Sequence, residues 1–241
     1  MDEYRILGVI PARGGSRGIP RKNLRMLLGK PLIHWAASAL MNARLPHTRI
    51  CSTDSREIAD CVSSTGIDVP WLRPAHLAMD GSRTVQVLEH ALRSLRDSGL
   101  VYTHVALVQP TSPTVLAEDI DAAIRLAVDN DVDTVISGFH STHAHPSLMY
   151  SLGENHQVEW LLPDHERQAR RQELSRMFIR TGLVYVVRAD LVLERRSLYG
   201  ERILALEIPE SRSITIDDEH DFHIAALMLE EMKHEAVRVN R

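Results

Sequence analysis

Short apolar runs alternate along this chain with stretches in which apolar residues recur every three or four positions. Ile6–Ile10 is a continuous apolar run stopped by Pro11 and predicts a buried strand. Leu32–Met41 reads as a helix, and Arg49–Ser52 as a short strand. The polar cluster Ser52-Thr53-Asp54-Ser55 is suited to capping a helix over Glu57–Ser63. A helix starting at Ser82 or Arg83 runs through Leu95 with Val85, Leu88 and Leu92 on one face. His104–Val108 is a second buried strand, Ala117–Val128 an amphipathic helix with Ile120, Ile124 and Val128 inward, and Thr134–Ser137 a further strand. This alternation predicts an α/β domain with a mostly parallel sheet and flanking helices.

The rhythm breaks between His140 and Arg180, a stretch rich in His, Arg, Glu and Gln. Leu148–Leu152 and Val158–Leu162 look like a hairpin around Gly153-Glu154-Asn155, so residues 140–180 are expected to form an insertion on the sheet, an oligomer arm. Gly182–Val187 and Ile203–Ile208 resume as strands, and Asp217–Lys233 ends in a helix. No internal repeat or low-complexity linker divides the chain, so 1–241 is read as a single domain.

Composition narrows the function classes. With 241 residues, 44% hydrophobic and 25% charged, the chain has the balance of a soluble globular protein. A net charge of -4 argues against a general nucleic-acid binder. No stretch approaches the ~20 apolar residues of a membrane span, and the acidic start Met1-Asp2-Glu3-Tyr4 is unlike a signal peptide. Cys51 and Cys61 lack metal-ligand spacing and are expected reduced, in a cytoplasmic protein. Lys22, Lys30 and Lys233 are the only lysines among many arginines, so a lysine inside a motif carries information.

Five segments could carry chemistry, and each follows or precedes a predicted element as ligand-binding loops of open α/β sheets do. Arg13-Gly14-Gly15-Ser16-Arg17-Gly18 follows the first strand, with Arg21 and Lys22 adjoining. Its glycines would let backbone N–H groups approach a phosphate; the same residues would also suit a turn with solvated arginines. It is neither a P-loop nor a G-x-G-x-x-G fingerprint. Ser52-Thr53-Asp54 suits a ligand contact or a helix cap. Leu72–Thr84 puts small polar residues before a helix, and Gln109-Pro110-Thr111-Ser112-Pro113 follows a strand. Ile214–Asp218 ends in two adjacent carboxylates that suit Mg²⁺ or an N-cap. His143 and His145 have no carboxylate or cysteine partners near them in sequence and read as surface residues.

In this order and spacing the five segments resemble the CMP-sialic acid synthetases and, more distantly, the CMP-Kdo synthetases, over about Ile6 to Leu229. The strongest match is Pro11–Asn23, which looks like that family's CTP loop; Arg73-Pro74, Leu77–Asp80, Gly182–Tyr185 and Ile216-Asp217 support it. The resemblance implies a Rossmann-like fold of the nucleotide-diphospho-sugar transferase type, a homodimer and a Mg²⁺-dependent attack of an acceptor oxygen on the α-phosphorus of CTP, with release of pyrophosphate. It implies a nucleotide site formed by Ala12, Arg13, Gly14, Ser16, Arg17, Lys22, Asn23, Arg73, Ser82 and Thr84. Within it Arg13, Ser16 and Lys22 would hold the triphosphate, Asn23 would orient the nucleotide, Ser82 and Thr84 would meet the cytosine, and Arg73 would lie near base or ribose. Arg13, Lys22 and Asp217 are the implied catalytic groups, Asp217 with Asp218 the metal ligands, and Gln109, Arg171 and Tyr185 the acceptor contacts. Residues 140–180 would be the dimer arm.

The chain also departs from that pattern. Thr215 stands where the family often has the first carboxylate of Asp-x-Asp, Arg17 replaces a usual lysine, and Thr181-Gly182 replaces Asn-Gly. The stretch His145-Pro146-Ser147-Leu148 has no lysine where sialate enzymes often carry one. Three readings follow: CMP transfer to an acidic keto sugar such as a nonulosonic acid; CMP transfer to a small phosphonate, for which Arg167, Arg170, Arg171, Arg176 and Arg180 would supply matching forks; and a nucleotide-binding regulator that has lost catalysis at Thr215. A related transferase using another nucleoside triphosphate is the remaining competitor.

Overall fold

A computed structural model describes residues 4–16, 18–141, 144–162 and 175–239. In chain order the elements are β1 (Ile6–Pro11), a short ribbon of β2 (Met26–Leu27) and β3 (Lys30–Pro31), α1 (Leu32–Asn42), β4 (Thr48–Ser52), α2 (Arg56–Ser63), α3 (Thr84–Asp97), β5 (His104–Val108), α4 (Ala117–Asp129), β6 (Thr134–Ser141), the hairpin β7 (Tyr150–Leu152) and β8 (Val158–Trp160), β9 (Met177–Arg188), α5 (Ala189–Glu194), β10 (Ile203–Glu207) and α6 (Glu219–Val239).

Six strands form the central sheet in the order β10-β6-β9-β5-β1-β4. β4, β1 and β5 are mutually parallel, as are β10 and β6. β9 runs antiparallel between β5 and β6, so the expected mostly parallel sheet has one reversed strand at its middle. β5 is buried on both faces, which is why its sequence is continuously apolar rather than alternating. One face packs Ile33 and Leu40 of α1, Ile58 of α2 and Ile120 and Ile124 of α4 against it. The other packs Val85, Leu88 and Leu92 of α3 and Leu191 and Val192 of α5 against Leu107, Tyr185 and Val187. A third cluster of Ile19, Leu27, Leu32, Ile216 and Phe222 joins the loop after β1 to α6.

The region expected as an insertion is partly continuous with the sheet. β6 extends to Ser141 and β9 begins at Met177, pairing Ser141 with Met177 and Gly138 with Arg180 in a ribbon that runs past the other strands. The half-exposed alternation along Met177–Arg180 hid this half of β9 from a search for apolar runs. β7 and β8 form the expected hairpin, shorter than predicted. Between Ile136↔Tyr185 and Gly138↔Arg180 the register jumps, leaving Thr181–Val184 opposite Ser137 alone. The fully buried Ser137 hydroxyl holds this bulge by accepting from Thr181 Oγ1 (2.8 Å) and from the Val184 N–H (3.1 Å).

Candidate active site

At the carboxyl end of β1 the chain turns into the Gly-rich loop, and a cleft of about 590 Å³ opens there. Its walls include Arg13, Gly15, Ser16, Lys22, Asn23, Arg73, Ser82, Thr84, Gln109 and Asp217, drawn from four separate segments of the chain. Leu77, Met79 and Val87 add an apolar wall that the motif reading had not assigned. A hollow of about 670 Å³ at the opposite edge of the sheet contains none of the motif residues. Its Arg188 is already committed to Asp190, at 2.9 and 3.2 Å.

The loop is held from below by acids. The Gly14 N–H donates to Asp54 Oδ1 (2.9 Å), and the same oxygen lies 3.6 Å from the Arg73 guanidinium. Asp54 is therefore a brace between the loop and Arg73, while the cap of α2 is Ser55, whose Oγ accepts from the Ile58 N–H. Arg73 is 5% exposed, and its buried Nε has no partner. Burial pushes its pKa down, opposed by the Asp54 charge. Arg13 donates to Asp80 at 2.7 Å across the cleft mouth. Asn23, buried, donates from Nδ2 to the Arg13 carbonyl (3.0 Å), leaving its Oδ1 without a partner. An orphaned buried oxygen and guanidinium nitrogen beside a cleft are groups that a polar ligand would satisfy.

Lys22 closes the far end. Its Nζ donates to the Ile216 carbonyl at 2.6 Å and lies 3.8 Å from Asp217 Oδ1. Burial lowers its pKa, and the Asp217 and Asp221 carboxylates resist that shift. The Asp217 side chain is 84% exposed. Its backbone is fixed more firmly: the N–H groups of Asp217 and Asp218 both donate to Asp221 Oδ2, at 2.8 and 3.1 Å. Asp218 Oδ1 in turn accepts the Asp221 N–H (2.9 Å), so this carboxylate is occupied in capping α6, which begins at Glu219 rather than Asp217. Thr215 Oγ1 sits 3.2 Å from Ser112 Oγ and against Gly182.

Not every expected site residue meets the cleft. Ala12 is buried, and its N–H donates to the Ser52 carbonyl. α3 begins at Thr84, not at Ser82 or Arg83, which leaves Ser82 in the loop with its hydroxyl on the His76 carbonyl (3.0 Å). Tyr185 is 5% exposed in the sheet core, its pKa raised by burial. Arg17, His143, Arg167, Arg170 and Arg171 lie outside the described residues. The sequence analysis gives no role to Asp221; an acid three residues after Asp218 is the spacing of a reciprocal cap and is the available signal.

A basic, glycine-lined cleft at the carboxyl edge of a Rossmann-like sheet defines a nucleotide-binding α/β protein. The cytidylyltransferase family profile matches residues 7–199, and the chain belongs to that family. It is a nucleotidyltransferase that moves CMP from CTP. It is similar to a CMP-N,N'-diacetyllegionaminic acid synthase of Legionella pneumophila, with 31% identity over 94% of this chain and 97% of that protein. It is also similar to a pseudaminic acid cytidylyltransferase of Campylobacter jejuni, with 26% identity over 95% of this chain and 98% of that protein. Among solved structures, a CMP-2-keto-3-deoxy-manno-octonic acid synthetase complexed with CTP superposes with a TM-score of 0.71 at 16% identity, covering 94% and 99% of the two chains, a likeness of fold.

Proposed function

We propose that the acceptor is an acidic nine-carbon keto sugar of the nonulosonic class, converted with CTP into its CMP conjugate and pyrophosphate. The end-to-end similarity to enzymes named for legionaminic and pseudaminic acids carries this reading. Phosphoryl transfer of this kind rests on positioning and charge stabilisation. Arg13 and Lys22 supply cations in the cleft, Ser16 and the Gly15 backbone would line the phosphate side, and Ser82 in the loop before α3 and Thr84 at its start would face the base. Asn23 Oδ1 and Arg73 Nε are the unpaired polar atoms available for ribose and base.

The donor set suits Mg²⁺. Among the described residues no group of three or more His, Cys, Asp or Glu converges as a metal cage. Mg²⁺ commonly takes one or two carboxylates and completes its shell with water and substrate phosphates. Asp217 would supply the carboxylate, with Asp218 committed to its cap and Thr215 lacking a charge. When bound, the ion would neutralise charge on the triphosphate. Lys22, fixed by the Ile216 carbonyl, orients the phosphates independently of it.

We further propose a homodimer formed through residues 140–180. Leu148, Leu152, Trp160, Leu161 and Phe178 are exposed on or beside the ribbon, Leu152 and Leu161 by 63% and 61%. A cluster of exposed apolar side chains on one projection fits a partner surface, and a second copy is the occupant proposed. Among the described residues no helix is long and apolar enough to cross a membrane, and a CTP-using reaction fits the cytoplasm.

The test is pyrophosphate release with CTP, Mg²⁺ and separate acceptors: N,N'-diacetyllegionaminic, pseudaminic, N-acetylneuraminic and 2-keto-3-deoxy-octonic acids, and 2-aminoethylphosphonate. Turnover of a nonulosonic acid is expected. Turnover of the phosphonate alone would replace the sugar reading, and tight CTP binding without any release would favour a non-catalytic regulator.

A further inference from the structure

The β6–β9 bulge brings Arg180 and Tyr185 to Tyr199, and its Gly182 touches the cleft at Gln109. Arg180 stands at its start and donates from a guanidinium nitrogen to the Tyr199 hydroxyl. The Tyr185 phenol, at its far end, lies close enough to the Tyr199 hydroxyl to interact with it. Between them Gly182 is pressed against the side chain of Gln109, a cleft residue: a Cβ there would lie 2.4 Å from the Gln109 Oε1. Bulges recur next to active sites because they re-aim side chains. This one is held from within the core by the Ser137 hydroxyl, so the placement is built into the sheet.

Charge distinguishes Arg180 from its neighbours. Arg176 pairs with Glu207, Arg188 with Asp190, Arg195 with Glu201 and Arg212 with Asp119. Arg180 has no carboxylate partner among the described residues; it donates to a neutral phenol and stacks 5.7 Å from the centre of the same ring. A guanidinium carries five donors in a planar fork matched to a carboxylate, so most of its capacity is unspent. Tyr199 is 42% exposed and Tyr185 5%, so of the two phenols only Tyr199 is open to solvent beside Arg180.

We propose that Arg180, braced by Tyr199, binds the carboxylate of the acceptor and so selects acidic sugars. This rests on the nonulosonic reading above. Arg180 and Tyr199 are specificity residues in it: they hold the acceptor and take no part in breaking the phosphoanhydride bond.

The experiment uses the full-length wild type with N,N'-diacetyllegionaminic acid or N-acetylneuraminic acid, whichever is turned over faster, and with the carboxamide of the same sugar. Arg180→Gln, Arg180→Lys and Tyr199→Phe are compared with it. Arg180→Gln is expected to raise the acceptor KM by about tenfold or more, the scale of a lost charged hydrogen bond, and to leave the CTP KM within about twofold. Arg180→Lys is expected to recover part of the loss, and Tyr199→Phe to give a smaller rise. Wild type is expected to discriminate against the carboxamide, and Arg180→Gln to treat acid and amide alike. Undiminished discrimination in Arg180→Gln, or equal rises in both KM values, overturns the assignment while leaving the nonulosonic reading intact. Failure of wild type on every acid overturns both.

Discussion

Gly18 lies directly against the carbonyl oxygen of Asp217: a Cβ at position 18 would sit 2.2 Å from that oxygen. The contact joins the phosphate loop after β1 to the end of the segment that presents Asp217, nearly the whole chain away. The obstructing atom is backbone, so it cannot swing aside. Gly18→Ala is therefore expected to shift the loop against Asp217 and reduce kcat/KM for CTP on the order of 100-fold, the scale of an ångström-sized misplacement. Steady-state kinetics with thermal unfolding checks this; wild-type kinetics would show that the loop tolerates the methyl.

Lys22→Ala removes the cation at the inner end of the cleft. Its loss is expected to lower CMP transfer on the order of 100- to 1000-fold, comparable to deleting one preorganised electrostatic contact. Its half-buried position outside the three apolar clusters predicts little change in thermal midpoint. A variant that unfolds early would instead assign Lys22 to holding the Ile216 carbonyl.

Arg212 and Asp119 form a bidentate pair, one bond at 2.6 Å, with side chains only 17% and 8% exposed. Arg212→Ala strands the carboxylate and is expected to cost about 3–5 kcal/mol. Urea denaturation measures it. Asp119 also caps α4 through the Leu116 N–H, so the double variant Arg212→Ala/Asp119→Ala is expected to be less than additive.

Cys51 is 1% exposed, and burial pushes its thiol up to about 12 from 9.0. The native protein is expected to leave it unreactive toward a disulfide reagent at pH 8, with full reaction only on unfolding. Because the folded pKa is the higher one, the neutral thiol contributes stability that is fully present below pH 9 and lost as pH rises toward 12. Cys51→Ala should flatten the decline of stability over that window; an unchanged decline would place its origin in other groups.

The arm makes an independent prediction. Leu152→Glu/Trp160→Glu places charge on two exposed apolar side chains of the β7–β8 hairpin. Sedimentation should show wild type as a dimer and the double variant shifted to monomer. A wild type that sediments as a monomer at all accessible concentrations removes the dimer proposal.

Much of the fold was legible because its strands are buried on both faces. His104–Val108 is so uniformly apolar that no other element fits, and Pro11 ends β1 where the run stops. The antiparallel placement of β9 was not legible, since a buried strand reads the same in either direction. Its outer half was hidden by half-exposure, and six-residue α5 was too short to show a period. The cleft loops were visible as motifs, but the acids that brace them were not. Asp54 looked like a cap because caps and loop braces use the same residues, and only the fold brings Arg73 and Gly14 onto it. Asp218 suits a metal or an N-cap by sequence alone, and its bond from the Asp221 N–H places it in the cap.

β9 pairs with β5 and β6 in the sheet and, across the bulge, with β6 in the projecting ribbon. Most of the nucleotide half of the cleft comes from loops that precede β6, with Asp217 after β10, whereas Gly182 and Arg180, the proposed acceptor half, lie on β9. The two halves are thus inherited on different pieces of backbone. If Arg180 holds the acceptor as proposed, the ribbon can be rewritten to change which sugar is accepted while the nucleotide cleft stays untouched. The ribbon cannot be lost altogether, because the same strand is the keel of the sheet.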